Sequence, residues 1–190
     1  MSFLGLPRVF GFTQDAEHAT SRPKCIWLTG LPGAGKTTLA SALEQRLREM
    51  GRMPCVLDGD LLRLGLCRDL GFCEADRIEN IRRVAEVAKL MVDAGLTVMV
   101  ALVSPFHAQR QTARALFSDG EFVEVFVDTP LEVCEHRDPK GMYARARRGQ
   151  LKDFTGIDSR YDPPRQPEAR VDTSVMSVEE SVDRVLRCLT

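Results

Sequence analysis

The sequence predicts a single α/β domain in which a parallel β-sheet is flanked by helices. Three observations support this fold class. Short apolar runs alternate with segments of helical periodicity from Lys24 onward, which is typical of strand–helix–strand units. A glycine-rich segment at residues 30–37 separates the first apolar run from the first helical pattern. The length of 190 residues suits one domain with a substantial core.

The first half of the predicted domain consists of two strands, each followed by a helix. CIWLT is an apolar run that leads into the glycine-rich segment, and PCVLD is the next such run. In the helix between them Leu39, Leu43 and Leu47 recur every four residues, and Gly51 ends it. The long second helix has apolar residues along one side and stops at Gly95. The strands are predicted at residues 25–29 and 54–58, and the helices at 36–50 and 74–94.

The second half adds three strands and three helices. LTVMVALVS is uniformly apolar, which indicates a central strand, and FVEVFVD is a further strand. Pro130 is expected to open a short helix. VDT is a weak candidate for a fifth strand, and an amphipathic helix follows it. The strands are predicted at residues 96–104, 122–128 and 171–173, and the other two helices at 108–117 and 178–189.

Two segments fall outside this regular pattern. Residues 1–22 carry short apolar clusters broken by Gly and Pro, and we assign this N-terminal extension no chemistry. Residues 23–190 form the single domain. Within this domain, a segment of about residues 138–167 is rich in Arg, Lys, Gly and Pro and poor in core positions. This composition predicts a mobile basic lid. An ordinary surface loop, the alternative, would be unusually long at about 30 residues.

Composition argues against several classes of function. Lys and Arg total 26 against 27 Asp and Glu, so no global basic field is present to hold nucleic acid. No apolar run approaches the roughly 20 residues of a membrane span, and no export signal is recognisable. The cysteines lack metal-ligand spacing and are expected to be buried free thiols in a cytoplasmic protein. They are Cys25, Cys55, Cys67, Cys73, Cys134 and Cys188.

The strongest chemical signal is the segment GLPGAGKT, which fits G-x-x-x-x-G-K-[ST] between a predicted strand and a predicted helix. Gly33 and Gly35 let backbone N–H groups turn toward phosphate oxygens at the positive end of the helix. Lys36 adds a charge near the β- and γ-phosphates, and the Thr37 hydroxyl suits Mg²⁺. The alternative, a glycine turn with a chance lysine, fits this context poorly. The segment predicts a nucleoside triphosphate site.

Two carboxylates follow the second strand and indicate where an acceptor binds. Asp58 and Asp60 lie at the carboxyl edge of the predicted sheet, where open α/β folds bind ligands. One of them could take a proton from an acceptor hydroxyl or order a metal-bound water. The alternative is a tight turn with solvated acids.

Four residues beyond these acids could surround one compact anionic ligand. Arginine forks suit phosphate or sulfate oxygens, and an aromatic face suits a purine ring. Each residue also has a plainer interpretation, since Arg77, Arg82 and Arg83 could form a solvated helix face and Phe72 could belong to the core. The four candidates are Arg63, Phe72, Arg77 and Asn80.

From about Lys24 to Leu189 the chain resembles the adenylylsulfate kinase (APS kinase) family, whose members phosphorylate the 3′-hydroxyl of adenosine 5′-phosphosulfate. The resemblance rests on several separated stretches and covers both the nucleotide loop and the acceptor segments. They are WLTGLPGAGKTTLA (27–40), LDGD with Arg63 (57–63), DLGF with Asp76, Arg77 and ENIRR (79–83), Ser104-Pro105-Phe106, VDTPLEVCEHRDPKG (127–141) and KDFTGIDSRYDPP (152–164).

The resemblance implies a P-loop nucleoside triphosphate hydrolase-like fold, with ATP and Mg²⁺ as cofactors. It implies catalytic roles for Lys36, Asp58 and Ser104, and a Mg²⁺ site at Thr37 and Asp58. The implied ATP-binding residues are Gly30, Leu31, Pro32, Gly33, Ala34, Gly35, Lys36, Thr37 and Thr38. The implied residues for the acceptor are Asp58, Asp60, Arg63, Phe72, Arg77, Asn80, Val103, Ser104, Lys140 and Phe154, with Phe72 and Phe154 stacking on its adenine.

Ser104 and the lid have open interpretations. Ser104 matches the serine that is described in this family as a phosphoserine intermediate. Because in-line transfer needs no protein nucleophile, we favour a substrate-orienting hydroxyl. Lys140, Arg145 and Arg147 are expected to neutralise transition-state charge from the lid. Leu61, Leu64 and His107 depart from the family pattern and bear on substrate affinity.

The resemblance implies a homodimer and is compatible with a functional association with ATP sulfurylase; nucleic acid and membrane partners are not expected. Two alternative functions remain open. The first is another small-molecule P-loop kinase, acting on a nucleoside, nucleotide or sugar acid. The second is a nucleotide-sensing regulator, against which the sequence offers no N-K-x-D segment and a basic lid with paired Phe residues.

Overall fold

The computed structural model describes residues 22–189. The predicted N-terminal extension, residues 1–22, lies outside these described residues except for Arg22. Five strands and seven helices follow in chain order: β1 (Cys25–Thr29), α1 (Lys36–Glu49), β2 (Pro54–Asp58), α2 (Gly59–Leu62), α3 (Glu74–Asp93), β3 (Thr97–Ala101), α4 (His107–Arg114), β4 (Phe122–Val127), α5 (Leu131–Arg137), α6 (Met142–Arg147), β5 (Ala169–Val171) and α7 (Val178–Leu186).

The five strands form one parallel sheet in the order β2-β3-β1-β4-β5. β1 lies at the centre and pairs with β3 on one side and β4 on the other. The predicted fold class, a parallel sheet flanked by helices, is therefore confirmed. Because all strands run the same way, the residues that follow β1, β2 and β3 gather at one edge of the sheet.

Several predicted boundaries differ from the structure. The strand predicted at 96–104 ends at Ala101, because the chain then turns away and Ser104 takes a φ of 38°. The weak fifth strand lies at 169–171, two residues earlier than predicted, where it pairs with β4. The helix predicted at 108–117 spans His107–Arg114, and the last helix ends at Leu186. The first two helices and the strands at 25–29 and 54–58 match closely.

The sheet separates two hydrophobic clusters, since alternate residues of a strand point to opposite faces. Ile26 and Leu28 of β1 belong to the first cluster, together with buried leucines of α1. Cys25 and Trp27 of the same strand belong to the second cluster, together with the apolar side of α3. We call these the α1 cluster and the α3 cluster.

The lid segment, residues 138–167, supplies more core than its composition suggests. Tyr143, Ala146 and Phe154 are buried in the α1 cluster, and the Tyr143 and Phe154 rings meet edge to face at 4.9 Å. The Tyr143 hydroxyl also donates to the Pro32 carbonyl at 2.9 Å. The expectation that this segment is poor in core positions holds for most of its length. These three buried side chains were not foreseen, because apolar residues spaced along an irregular chain leave no periodic pattern.

The cysteines are free, as expected, but only three are buried. Cys25, Cys67 and Cys134 are buried, Cys55 and Cys188 are half-buried, and Cys73 is exposed. The prediction of burial is therefore wrong for Cys73, which precedes α3 at the surface. None of the helices within residues 22–189 has the length and apolar character to cross a membrane.

Candidate active site

A cavity of about 720 Å³ opens at the carboxyl edge of the sheet. The chain leaves β1, β2 and β3 toward this cavity, so the loop after each strand contributes to its wall. The lid segment and the start of α7 contribute the remaining wall. All ten predicted acceptor residues line the cavity, together with Pro32, Gly33, Gly35, Lys36, Thr37 and Thr38 of the glycine-rich loop.

The glycine-rich loop curls as its sequence predicts. Gly33 and Gly35 have φ values of 76° and 98°, which residues with a side chain rarely adopt. Gly35 is also the N-cap of α1, so the helix starts at Lys36 with its N-terminal N–H groups directed at the cavity edge. This is the backbone arrangement that binds phosphate in nucleotide loops.

Lys36 is held inside this loop. Its Nζ donates to the carbonyl oxygens of Gly30 at 3.0 Å and Leu31 at 2.8 Å. Burial lowers the pKa of Lys36 from 10.5 to about 8, although Asp58 and other nearby groups favour its charged form. The charge of Lys36 is therefore less stable than that of an exposed lysine, and an anion bound beside it would stabilise it.

Three of the predicted ATP-binding residues do not line the cavity. Gly30 and Leu31 contribute the carbonyls that accept from Lys36. Ala34 is fully buried, and its carbonyl accepts hydrogen bonds from the hydroxyls of Thr129 and Thr173. These residues shape the loop from behind.

Asp58 joins the glycine-rich loop to the acceptor side. Its Oδ2 accepts the Thr37 hydroxyl at 2.8 Å, and its Oδ1 accepts the Asp60 N–H at 2.9 Å as the N-cap of α2. Asp58 is buried. Its carboxylate is thus fixed in position by both neighbours, with a lone pair on Oδ2 still directed away from them.

Asp60 and Lys140 face each other across the cavity mouth and form an ion pair, although both side chains are more than half exposed. Asp60 is on α2 and Lys140 is in the lid segment, 80 positions apart. The pair therefore links two walls of the cavity.

Arg63 and Phe72 form one side of the acceptor wall. The Arg63 guanidinium donates to the carbonyls of Leu70 and Gly71 at 3.1 and 2.9 Å and lies 4.3 Å from the centre of the Phe72 ring. Burial lowers the pKa of Arg63 from its ordinary value. Phe72 is 45% exposed, which makes it a cavity-rim residue and not a core residue.

Arg77 connects this wall to the lid segment. Its Nε donates to the Phe72 carbonyl at 2.7 Å and its Nη2 to the Asp153 carbonyl at 2.5 Å. Arg77 and Asn80 are buried on α3, one helical turn apart, and Phe154 follows Asp153 in the buried wall. The interpretation of Arg77 as part of a solvated face is wrong, because it packs under the lid. Arg82 and Arg83 instead pair with Glu79.

Ser104 occupies the end of the β3 loop in a left-handed backbone conformation, with a φ of 38°. Its side chain is buried, and its Oγ accepts the Trp27 indole N–H at 3.1 Å. His107, three residues after Ser104, donates its backbone N–H to the Asp162 carboxylate. Trp27 is a donor only and cannot act as a base.

Two of the three lid cations expected at the site lie elsewhere. Arg147 pairs with Glu135 at 2.7 Å, and neither Arg145 nor Arg147 lines the cavity. Both belong to α6, whose inward side is used by Tyr143 and Ala146, so the arginines point away from the core.

The sequence reasoning missed Arg137 and Thr173, which both line the cavity. Arg137 donates to the hydroxyl and the carbonyl of Thr173 at 2.8 and 2.9 Å. Thr173 touches the loop near Gly35. The basic stretch before Gly141 was a signal for Arg137, whereas no local pattern distinguishes Thr173.

A metal at this site would have few protein ligands. Within residues 22–189 no group of three or more His, Cys, Asp or Glu side chains could hold an ion. The Thr37 hydroxyl with Asp58 beside it nevertheless fits Mg²⁺, which usually binds one or two protein groups plus substrate phosphates. The arrangement can therefore bind a triphosphate and hold a second ligand next to it.

Comparison with known proteins is consistent with this geometry. The model of the family described as adenylylsulphate kinase matches residues 22–172. The chain is 58% identical over 174 residues to an adenylyl-sulfate kinase of Aeromonas hydrophila, covering 92% of this chain and 88% of that protein. It is 59% identical over 169 residues to the bifunctional enzyme NodQ of Rhizobium sp., covering 89% of this chain but only 26% of that protein's length.

Solved structures agree. A structure of Mycobacterium tuberculosis APS kinase CysC in complex with AMPPNP and APS superposes with a TM-score of 0.85 and 47% identity. The match covers 89% of this chain and 98% of that chain. The similarity therefore extends over nearly the whole described structure.

Proposed function

This chain belongs to the adenylylsulphate kinase family, and from that membership we propose that it transfers the γ-phosphate of ATP to the 3′-hydroxyl of adenosine 5′-phosphosulfate. The products are ADP and 3′-phosphoadenosine 5′-phosphosulfate. The observation that carries the proposal is the 2.8 Å hydrogen bond between Thr37 and Asp58. It joins the triphosphate loop to the acceptor wall inside one cavity.

On the donor side, the loop N–H groups and Lys36 bind the ATP phosphates. The phosphate oxygens replace the Gly30 and Leu31 carbonyls as partners of the Lys36 ammonium. Arg137 and Thr173 line the same cavity beside the loop, and we assign them to the nucleotide as well.

Thr37 would bind Mg²⁺ directly, and Asp58 would help to place the ion through the Thr37 hydroxyl and a metal-bound water. Because the Thr37 hydroxyl donates its hydrogen to Asp58, its lone pairs remain available for the ion. Mg²⁺ bound there would neutralise negative charge on the β- and γ-phosphates.

On the acceptor side, the 3′-hydroxyl lies near Asp58 Oδ2, the carboxylate oxygen that keeps a free lone pair. The hydroxyl oxygen forms a bond to the γ-phosphorus, its proton passes to Asp58, and ADP leaves with the electrons of the broken P–O bond. No covalent intermediate is required.

The rest of the acceptor pocket positions the nucleotide. Arg63, Arg77 and Asn80 supply donors for its phosphosulfate and sugar, and Phe72 and Phe154 supply aromatic faces for its adenine. Val103, Asp60 and Lys140 complete the set. Lys140 is the lid cation that remains at the cavity, where it and Arg137 neutralise transition-state charge.

We assign Ser104 to substrate orientation and not to a phosphoserine intermediate. The Ser104 hydroxyl accepts the Trp27 N–H, and within residues 22–189 it makes no hydrogen bond with a basic side chain. A serine nucleophile needs an adjacent base to take its proton. The hydroxyl is instead fixed with its hydrogen free to donate to the acceptor.

The decisive experiment measures ADP formation from ATP with and without adenosine 5′-phosphosulfate, and identifies the product by mass spectrometry. We expect acceptor-dependent turnover and a product phosphorylated at the 3′ position. The matched control is the 3′-deoxy form of the same acceptor, which fits the pocket but offers no nucleophile and should give no turnover. Equal ADP release with either compound would contradict the proposal and indicate hydrolysis.

We also propose a homodimer in the cytoplasm, in functional association with ATP sulfurylase. The free cysteines support a reducing compartment. Light scattering coupled to size-exclusion chromatography measures the oligomeric state, and a monomer mass would contradict the dimer.

A further inference from the structure

Among residues 22–189, Arg110 is the most deeply buried charged group outside the site described above. Its side chain is 0% exposed, and its partner Glu124 on β4 is 2% exposed. The guanidinium donates through three different nitrogens to three separate parts of the chain. Nε reaches Glu124 Oε1 at 2.7 Å, Nη1 reaches the Ser104 carbonyl at 2.7 Å, and Nη2 reaches the Asp162 carbonyl at 2.6 Å.

The contact with the Ser104 carbonyl fixes Ser104 from behind the cavity. The Ser104 carbonyl accepts from Arg110, while the Thr29 hydroxyl donates to the Val103 carbonyl at 2.8 Å and lies 3.3 Å from the Ser104 carbonyl. Arg110 thus holds the peptide that follows Ser104, a residue whose φ of 38° is uncommon for a residue with a side chain. That conformation places the Ser104 hydroxyl against Trp27 at the cavity wall.

The contact with the Asp162 carbonyl fixes the end of the lid segment. The Asp162 N–H donates to the Pro105 carbonyl at 2.7 Å, so the chain at Asp162 runs beside the loop that holds Ser104. Next to it, the Tyr161 hydroxyl lies 3.0 Å from the Thr29 hydroxyl, and the Tyr161 ring stacks on Phe126. Arg110 therefore joins the lid's C-terminal end to the acceptor wall through one planar group.

Only an arginine can make this set of contacts. A guanidinium presents five N–H donors in a fixed plane, whereas a lysine ammonium is a compact point charge at the end of a flexible stem. Glu124 balances the charge, which allows the donors to be buried. A buried ion pair is weak evidence for stability, because desolvation offsets its attraction. Its geometry around Ser104 therefore points to a positional role.

We propose that Arg110 is a positioning residue for the phosphotransfer: it holds Ser104 in the conformation that orients the acceptor, and ties the lid end to that same point. The proposal rests on the proposed function for its kinetic consequence. Its structural consequence, the orientation of Ser104 against Trp27, is independent of any substrate.

The main test uses the double variant Arg110→Met/Glu124→Leu, which removes both charges together and leaves no buried charge unpaired. We expect a folded protein whose KM for adenosine 5′-phosphosulfate rises at least tenfold and whose kcat falls, while its KM for ATP stays within about twofold. Arg110→Lys is the second variant, because it keeps a charge for Glu124 but cannot reach all three acceptors. It should show the same direction with a smaller change.

The fluorescence emission of Trp27 provides a measurement that needs no substrate, since Trp27 is the only tryptophan of the chain. Its indole loses a hydrogen-bond acceptor if Ser104 moves, so the emission of both Arg110 variants should shift toward that of Ser104→Ala. If the wild-type enzyme showed no acceptor-dependent turnover, the proposed function would fail, yet this spectral comparison would still test the role of Arg110.

Arg114→Met is the matched control. Arg114 is on the same helix and contacts Glu124 and Glu168, but it has no contact with Ser104 or Asp162 among its hydrogen bonds within residues 22–189. It should keep the wild-type emission and both KM values. The proposal is overturned if a folded Arg110 variant keeps the wild-type acceptor KM and Trp27 emission, or if Arg114→Met reproduces the acceptor defect.

Discussion

Lys36 combines burial with a role that requires its charge. Burial lowers its pKa to about 8 in the folded chain, so the folded state binds fewer protons than the unfolded state between about pH 8 and 10.5. The contribution of Lys36 to the free energy of unfolding therefore rises with pH across this window. Below pH 8 the lysine is charged and its burial costs stability. A bound phosphate would offset that cost.

We therefore predict that ATP binding at pH 8.5 is accompanied by proton uptake at Lys36. Phosphate oxygens favour the ammonium form and raise its pKa. Titration calorimetry of MgATP in buffers of different ionisation enthalpy should give an uptake of more than half a proton. At pH 7.0, the internal control, Lys36 is already protonated and uptake should be small. Equal values at the two pH values would contradict this assignment.

Asp58 and Asp60 allow a comparison of two neighbouring acids. We predict that Asp58→Asn lowers kcat by about 10²- to 10⁴-fold, the range for loss of a general base, with a much smaller change in ATP affinity. Asp60→Asn is the control, because Asp60 is exposed and pairs with Lys140; it should act mainly on the acceptor KM. Steady-state kinetics for both substrates distinguish them. An Asp58→Asn enzyme with normal kcat would refute the assignment of the base.

The residues that the sequence identified are those whose signal is local. The glycine loop and Asp58 follow their strands directly, and parallel strands bring such positions to one edge. Thr173 and the backbone of Ser104 instead have contacts 36 to 139 positions away in sequence, in the pairs Arg137–Thr173, Thr29–Ser104 and Ala34–Thr173. Arg110 likewise reaches Asp162, 52 positions away. No local pattern carries that information.

At the scale of elements, α7 begins with side-chain hydrogen bonds that satisfy backbone N–H groups at its N-terminus. Ser177 accepts the Glu180 N–H at 3.1 Å, and the Glu180 carboxylate accepts the Ser177 N–H at 2.7 Å. This is a capping box. The helix buries Val182 and Val185 in the α1 cluster and lines the cavity with Val178 and Ser181. Its terminus therefore supports one wall of the site.

We predict that Ser177→Ala lowers the free energy of unfolding by about 1 kcal/mol, the usual cost of losing an N-cap. Glu179→Gln is the control, since it removes a charge from the first turn but not a capping bond. Urea denaturation followed by circular dichroism measures both. A Ser177→Ala loss no larger than that of Glu179→Gln would mean that the cap contributes little.

The elements themselves were predictable where periodicity is strong. α1 and α3 carry long amphipathic patterns, and their bounds match to within one residue. β5 and α6 are short, and their positions come from packing against β4 and the α1 cluster, so a local sequence pattern predicts β5 only weakly and α6 not at all. The lid segment shows the same limit of prediction. In the sequence Phe154 lies in a loop, and only the structure shows that its ring packs against Tyr143.

At the scale of the whole molecule, the cavity is bounded by several separate segments that a bound ligand would contact together. We predict that a non-hydrolysable ATP analogue with Mg²⁺ at about 100 times its Kd stabilises the fold by about 2.7 kcal/mol. For a domain of this size that corresponds to a rise in Tm of about 5–11 °C. Differential scanning calorimetry measures it.

Two lysine variants make that measurement specific. Lys36→Met should lose most of the shift, because it removes the phosphate partner. Lys89→Met changes a lysine that pairs with Asp93 on α3 and does not line the cavity, and it should keep the full shift. A full shift in Lys36→Met would show that the analogue binds elsewhere.

The sheet that separates the α1 and α3 clusters also divides the site's supports. α1, which follows the phosphate loop, packs on one face, and α3, which carries Arg77 and Asn80, packs on the other. A core substitution on one face therefore disturbs its own helix first. We therefore expect core substitutions beneath α3 to change acceptor affinity while ATP affinity is retained. In such a fold, substitutions on one side of the sheet can alter the acceptor site separately from the ATP site.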